Sequence, residues 1–368
     1  MKKFILILSM VNLFLYQSNA QVKTHILSER ENINYYFPYH IDNSVNFIDI
    51  PKPDIDSVYA EDDRLNRQLV RFAVKVKTDI SEKDGTFIEN GYFTTWKLGI
   101  YSDGAASLNL KFQNLTLPDG AEMILYSSDE KMMIGTIKNS NIKKGQIMTS
   151  MINSDKAIIE IVIPKDSKDL FSLNIEFISY GISEYPLSNI ALRGFNDSEA
   201  CIKGNNIICP QFDEWYNHGN GISRVLIGGQ WWCSGSLITN ECNVDRSFFL
   251  TAFHCLDINE DGEIVFDELI NLNNTTFEFD YESPDCTPSS EPLSWVTYSR
   301  AEMLAGWNNI AGTDFLLLEI SDPAHIENTP NTINHTPDIN DTKVACIQHP
   351  IGDLKKIAVD NDPVIMDG

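Results

Sequence analysis

The side chains in this sequence best suited to chemistry are a histidine and an aspartate, each set against an apolar run. In Phe248-Phe249-Leu250-Thr251-Ala252-Phe253-His254-Cys255, a short β-type segment ends in Thr-Ala and at once presents an imidazole and a thiol. Cys233-Ser234-Gly235-Ser236-Leu237-Ile238 lies upstream, and Gly312-Thr313-Asp314-Phe315-Leu316-Leu317-Leu318-Glu319-Ile320 lies downstream. An imidazole can hold or release a proton near neutral pH, so His254 suits a general base. Asp314 can hold the imidazole in one tautomer and stabilise its charged form. Heading an apolar strand, this carboxylate is expected to be partly buried and to need a partner. The competing readings are a structural histidine, as assumed for His218 and His349, and a strand-capping aspartate.

A second candidate site starts three residues after His254. The stretch Asp257-Ile258-Asn259-Glu260-Asp261-Gly262-Glu263-Ile264-Val265-Phe266-Asp267-Glu268 fits the twelve-residue calcium loop of EF-hands. Asp257, Asn259 and Asp261 stand at its first, third and fifth positions, and Gly262 allows the sharp turn. Glu263 offers its backbone carbonyl, Ile264 is the usual apolar residue, and Glu268 can bind through both oxygens. The loop is expected to take Ca2+ and stiffen the chain beside His254. The alternative is a solvated acidic hairpin, because Thr276 to Phe279 reads as strand and flanking helices are poorly supported.

The elements that must position these residues are strands. Leu69 to Val76 alternates apolar and polar residues, as a half-buried strand does. Further strands are expected at Gly91 to Ile100, Ser107 to Phe112, Met123 to Ser127, Ile158 to Ile163 and Leu173 to Phe177. Ser102-Asp103-Gly104, Pro118-Asp119-Gly120 and Pro164-Lys165-Asp166 mark turns between them. Strands at short spacing without a long helical pattern predict an antiparallel sandwich over residues 66–195. Residues 21–65, broken by Pro38, Pro51 and Pro53, read as a loosely structured lead-in. Beyond the sandwich, strands are expected at Ser223 to Ile227 and at Trp232 to Ile238.

Residues 1–20 read as a secretory signal peptide, with Lys2 and Lys3 before an apolar core and Ala20 at the cleavage position. No other stretch approaches the length of a membrane helix, so no stable anchor is expected. The expected location is outside the cytoplasm, extracellular or periplasmic. All seven cysteines fall between Cys201 and Cys346. An oxidising compartment lets them pair, and the contrast with the cysteine-free first 200 residues marks a domain boundary. Cys233 and Cys255 are well placed to join the two strands that present His254. The odd count leaves one cysteine without a partner in this chain. The formal charge of −24 argues against a nucleic-acid partner, whose phosphates require a basic face.

The Cys-x-Gly-Ser-Leu-Ile strand, the Thr-Ala-x-His-Cys histidine and the aspartate heading an apolar strand together resemble a trypsin-type serine protease. The wording of Trp96 to Leu110, of Leu117-Pro118-Asp119-Gly120-Ala121 and of Cys201 to Pro210 is similar to bacterial lysyl endopeptidases in particular. So is Cys346-Ile347-Gln348-His349-Pro350-Ile351-Gly352-Asp353. The resemblance implies an all-β chain: a β-sandwich pro-region, then a chymotrypsin-like double β-barrel over residues 196–368. It implies His254 as general base, Asp314 as its orienting carboxylate, and protein or peptide substrates, with lysine preference carried by the resemblance alone. It also implies a Cys209–Cys286 bridge, and a partner for Cys201 near the end of the full catalytic domain. Cys242 and Cys346 depart from the minimal pattern and could pair with each other. The pro-region of such enzymes is expected to assist folding and to block the site until cleaved. Arg193-Gly194 is the candidate processing bond. The family's Gly-x-Ser-Gly nucleophile does not occur before Gly368. The second barrel is therefore expected to be incomplete and the chain as written inactive. The competing function is an inactive relative acting as an exported β-rich binding protein, with calcium at the acidic loop.

Overall fold

The structure is a computed structural model describing residues 21–65, 67, 69–182, 195, 198–239, 246–309, 313–321, 326–333 and 343–362. The expected signal peptide with Ala20, the processing candidate Arg193 and Cys242 lie outside the described residues. Within them the chain is all-β, with a few short helices.

The N-terminal half is a sandwich. One face runs Met132–Ile137, Glu122–Ser127, Lys156–Pro164, Phe93–Tyr101 and Phe47–Asp49, with Thr86–Asn90 also on Phe93–Tyr101. The other is a four-stranded sheet of Ala73–Ser81, Ser172–Gly181, Leu108–Thr116 and Ile147–Met148. Side chains two apart share a face of a strand. Trp96, Leu98, Ile100, Ile159 and Ile161 thus meet Leu108, Leu110, Phe112, Ile175 and Ile178 in one buried core.

The larger sheet is apolar on its outer face as well, at Ile124, Tyr126, Ile158 and Val162. Leu27, Ile33 and Phe37 cover that face. Residues 21–65 are therefore not a loose lead-in. They hold the strand Val22–Ile26, the strand Phe47–Asp49, the turn of helix Ile33–Tyr36 and the helix Ile55–Arg64. The segment is pinned to the sheet by Glu160, whose buried carboxylate meets His40 Nδ1 at 2.7 Å, Lys97 Nζ at 3.0 Å and the Ile41 N–H at 3.0 Å.

In the C-terminal half the strand path is Ala301–Asn309, Thr313–Ile320, Phe248–Thr251, Trp231–Ile238, Ile222–Ile227, Thr276–Phe279 and Ser294–Ser299. The two ends of that path are consecutive in sequence, with Arg300 alone between them. The sheet must therefore roll around a common core, in which Val225, Leu237, Phe249, Phe277, Tyr298, Leu316 and Leu318 are buried together. Arg300 makes the corner in the left-handed region, at φ 71°. No ladder of hydrogen bonds closes this sheet among the described residues. The edge strand Ser294–Ser299 takes Val22–Ile26 as its outer neighbour instead. The hairpin Val344–Gln348 with Lys356–Asp360 is a separate two-stranded sheet, and the expected double barrel is not formed among the described residues. No described helix is long and apolar enough to cross a membrane.

Candidate active site

His254 sits where the strand Phe248–Thr251 runs out into a 3₁₀ turn, Phe253–Cys255. Asp314 is the second residue of Thr313–Ile320, the strand paired antiparallel to it. The register sets Thr251 opposite Leu316, so the turn that follows Thr251 folds back over Asp314. The result is a two-point contact. Asp314 Oδ2 lies 2.6 Å from His254 Nδ1, and Asp314 Oδ1 accepts the His254 backbone N–H at 3.1 Å. A carboxylate held at two points cannot rotate away, and it fixes the proton of the ring on Nδ1 and leaves Nε2 free to accept one.

Desolvation pushes the Asp314 carboxyl up, but the hydrogen bonds from the His254 ring and from the backbone of His254 and Phe253 outweigh it. Its pKa therefore lies below the ordinary carboxylate value. Asp314 is more open than its place before an apolar strand predicts. Its side chain is 39 % exposed and that of His254 is 42 % exposed. The strand alternates, and the buried positions begin at Leu316, two residues further in.

Three further contacts brace the turn. The Cys233–Cys255 disulfide ties it to the strand Trp231–Ile238. The Thr251 hydroxyl donates to Ser234 O at 2.7 Å. Phe253 is buried against Gly306, where an added Cβ would come within 3.0 Å of its ring. Cys233, His254 and Cys255 bring potential metal ligands within 4.8 Å of one another. Both sulfurs are spent in the disulfide, so no thiolate is available there. Cys209 is bonded to Cys286. Cys201 and Cys346 are free and exposed. His349 is fully buried, and desolvation lowers its pKa well below the ordinary value. It is a neutral core histidine whose Nδ1 meets Asp353 O at 2.9 Å.

The acidic loop folds on itself through backbone N–H groups. Asp257, 1 % exposed, accepts from Asp261 at 3.2 Å and from Gly262 at 2.9 Å. Asn259 Oδ1 accepts from Asp261 at 3.1 Å, and Asp261 accepts from Glu263 at 2.9 Å. Glu268 closes the loop: Oε1 accepts from Ile258 at 2.7 Å and Asn259 at 3.2 Å, and Oε2 from Val265 at 3.1 Å. Gly262 takes the required left-handed turn, at φ 83°. A helix, Phe266–Leu272, follows the loop where none was expected. Its signal was present in the Glu268 cap and in Leu269 and Leu272, spaced to reach the core. Sequence reasoning also missed Arg67, which donates to Ile258 O at 2.5 Å from the other half of the molecule.

Residues 195–367 match the family described as lysyl endopeptidase, C-terminal domain. This stretch is lysyl endopeptidase-like. The lysyl endopeptidase-like stretch contains both His254 and Asp314 and both disulfides. The match ties this part of the chain to a peptidase-related family, whose substrates are proteins.

Proposed function

We propose that this chain is the precursor of an exported serine endopeptidase, with His254 as general base and Asp314 as its orienting residue. The 2.6 Å contact between His254 Nδ1 and Asp314 carries the reading. In the proposed reaction, Nε2 of His254 takes the proton of a serine hydroxyl as its oxygen attacks the scissile carbonyl carbon. The proton then passes to the leaving amine, and water repeats the cycle on the acyl-enzyme. Asp314 stabilises the imidazolium at each stage. The serine is proposed to lie in coding sequence beyond Gly368, and a preference for lysine rests on the family match alone.

The test follows the reading frame to its stop codon and exposes the product to a serine-directed phosphonate. Labelling is expected in the parent, to be lost in His254→Ala and to fall by about 10⁴ in rate in Asp314→Asn. Labelling that survives His254→Ala unchanged overturns the assignment. A complete frame that is never labelled favours the second reading, a non-catalytic exported β-rich binding protein.

Calcium is proposed for the acidic loop on its spacing and its all-oxygen donors: Asp257, Asn259, Asp261, the Glu263 carbonyl and Glu268. Bound there, the ion would stiffen the chain that follows His254. Binding it requires the carboxylates of Asp257, Asp261 and Glu268 to converge more closely than they do here.

A further inference from the structure

Residues 21–182 and 198–362 meet along a face built like a protein interior. The strand Val22–Ile26 lies between Ser294–Ser299 and Met132–Ile137 and pairs antiparallel with both. One sheet therefore runs through the two halves. A second backbone seam lies at the turn after Ile222–Ile227. The Phe72 N–H donates to Gln230 O at 2.9 Å, and the Trp232 N–H donates to Val70 O at 3.1 Å. Phe72 stacks on Trp232 at 4.2 Å between centroids, and the Arg71 guanidinium lies 3.9 Å from the centre of the Trp231 ring. Phe72, Trp231 and Trp232 are all buried.

Polar contacts across this face are buried or partly buried. Glu278, wholly buried, accepts from Arg224 Nε at 2.7 Å, and its other oxygen accepts the Ser150 hydroxyl from the opposite half. Lys111 donates to Asn273 O at 2.9 Å, and Arg300 donates to Lys143 O at 3.2 Å. At Gly229 the turn approaches so closely that a Cβ would lie 2.6 Å from Met148 and 2.8 Å from Ser179.

This face does not reach the chemistry. Among the described residues no hydrogen bond, ion pair or ring contact from residues 21–182 reaches His254 or Asp314, and both side chains are about two-fifths open. Arg67 reaches Ile258 O, four residues along the chain from His254.

We propose that residues 21–182 are a retained structural subunit, which stays bound to residues 198–362 after the connecting segment is cut. A cut removes one covalent link and none of the buried contacts. Separation would bare Trp231, Trp232 and Trp295 and break the ladder between Val22–Ile26 and Ser294–Ser299. The association rests on the fold alone.

To test it, a recognition sequence for a site-specific protease replaces part of residues 183–194 in the full chain. Cut and uncut protein are compared by size exclusion in about 1 M salt, where the screening length is about 3 Å and exposed ion pairs contribute little. Both fragments should elute together at the uncut volume, and the uncut chain should melt in one calorimetric transition. Phe72→Ala should raise the dissociation constant of the cut complex by about tenfold or more while the uncut variant stays folded. Separate elution of the fragments, or two independent transitions in the uncut chain, overturns the proposal. So does a cut complex indifferent to Phe72→Ala. None of these readouts depends on activity, so a failure of serine labelling leaves them intact.

Discussion

Replacing Lys111 with methionine should change how the stability of the whole molecule responds to pH. The side chain is 1 % exposed and donates to Asn273 O at 2.9 Å and to Gln146 Oε1 at 3.3 Å. Asn273 ends the helix Phe266–Leu272, so the ammonium lies against the negative end of a helix. Burial lowers its pKa from 10.5 to about 8; Glu176 opposes this, and Arg300 and Lys75 add to it. The unfolded chain keeps the ordinary value. Below about pH 8 both states hold the proton, and the cost of burying the charge is present in full. The gap between 10.5 and about 8 amounts to about 3 kcal/mol. Between about pH 8 and 10 the unfolded state binds more protons, so stability rises with pH there. Methionine removes the charge penalty but strands the Asn273 carbonyl and the Gln146 amide, at about 1–3 kcal/mol. The two effects nearly cancel at neutral pH, which leaves the slope as the diagnostic quantity. From about pH 8 to 9 the parent should gain about 1 kcal/mol relative to Lys111→Met. Lys75, also lowered to about 8 by burial, titrates in both proteins and leaves only its repulsion with Lys111 in the difference. Urea unfolding followed by tryptophan fluorescence at about pH 7, 8 and 9 measures it. Parallel pH profiles for the two proteins would refute the placement of a buried ammonium between the halves.

The paired replacement Cys233→Ala with Cys255→Ala opens a loop of sequence separation 22 and should cost about 3 kcal/mol, read as a lower denaturation midpoint. An unchanged midpoint would mean the turn bearing His254 is held by its hydrogen bonds alone. Glu268→Gln turns one carboxylate oxygen into an amide donor, which must face either the N–H groups of Ile258 and Asn259 or that of Val265, and should destabilise the loop by about 1–3 kcal/mol without calcium. If the loop binds the ion, added calcium should raise the melting temperature of the parent and not of this variant. Equal shifts in both would remove Glu268 from the ligand set.

Much of the site was legible because its determinants are local. A histidine directly after a Thr-Ala strand end and an aspartate at the head of an apolar strand are read along the chain. The strand Thr276–Phe279 was legible in the same way, since alternation and β-branched or aromatic residues report strand without knowledge of its neighbours. The helix Phe266–Leu272 was not, because its first three residues lie within the acidic loop and the rest run toward an apolar strand, two competing signals. The lead-in was misread for a related reason. Prolines mark where chain direction changes, and they say nothing of whether a sheet needs a cover. Ile124, Ile158 and Val162 needed one, and Leu27, Ile33 and Phe37 supply it.

By itself the sequence determined the all-β class, the sandwich over the first half, the chemical types at His254 and Asp314 and the oxygen-rich loop beside them. Each depends on residues a few positions apart, where side-chain period and turn chemistry act directly. Only the tertiary structure decided that Val22–Ile26 joins the two halves into one sheet, that Lys111 lies on the end of a helix by a bond to Asn273, 162 residues away, and that Glu278 is shared between Arg224 and Ser150. An edge strand presents the same unpaired N–H and C=O groups to any neighbour. Which neighbour arrives is set by how the packed faces fit, and no run of residues records that.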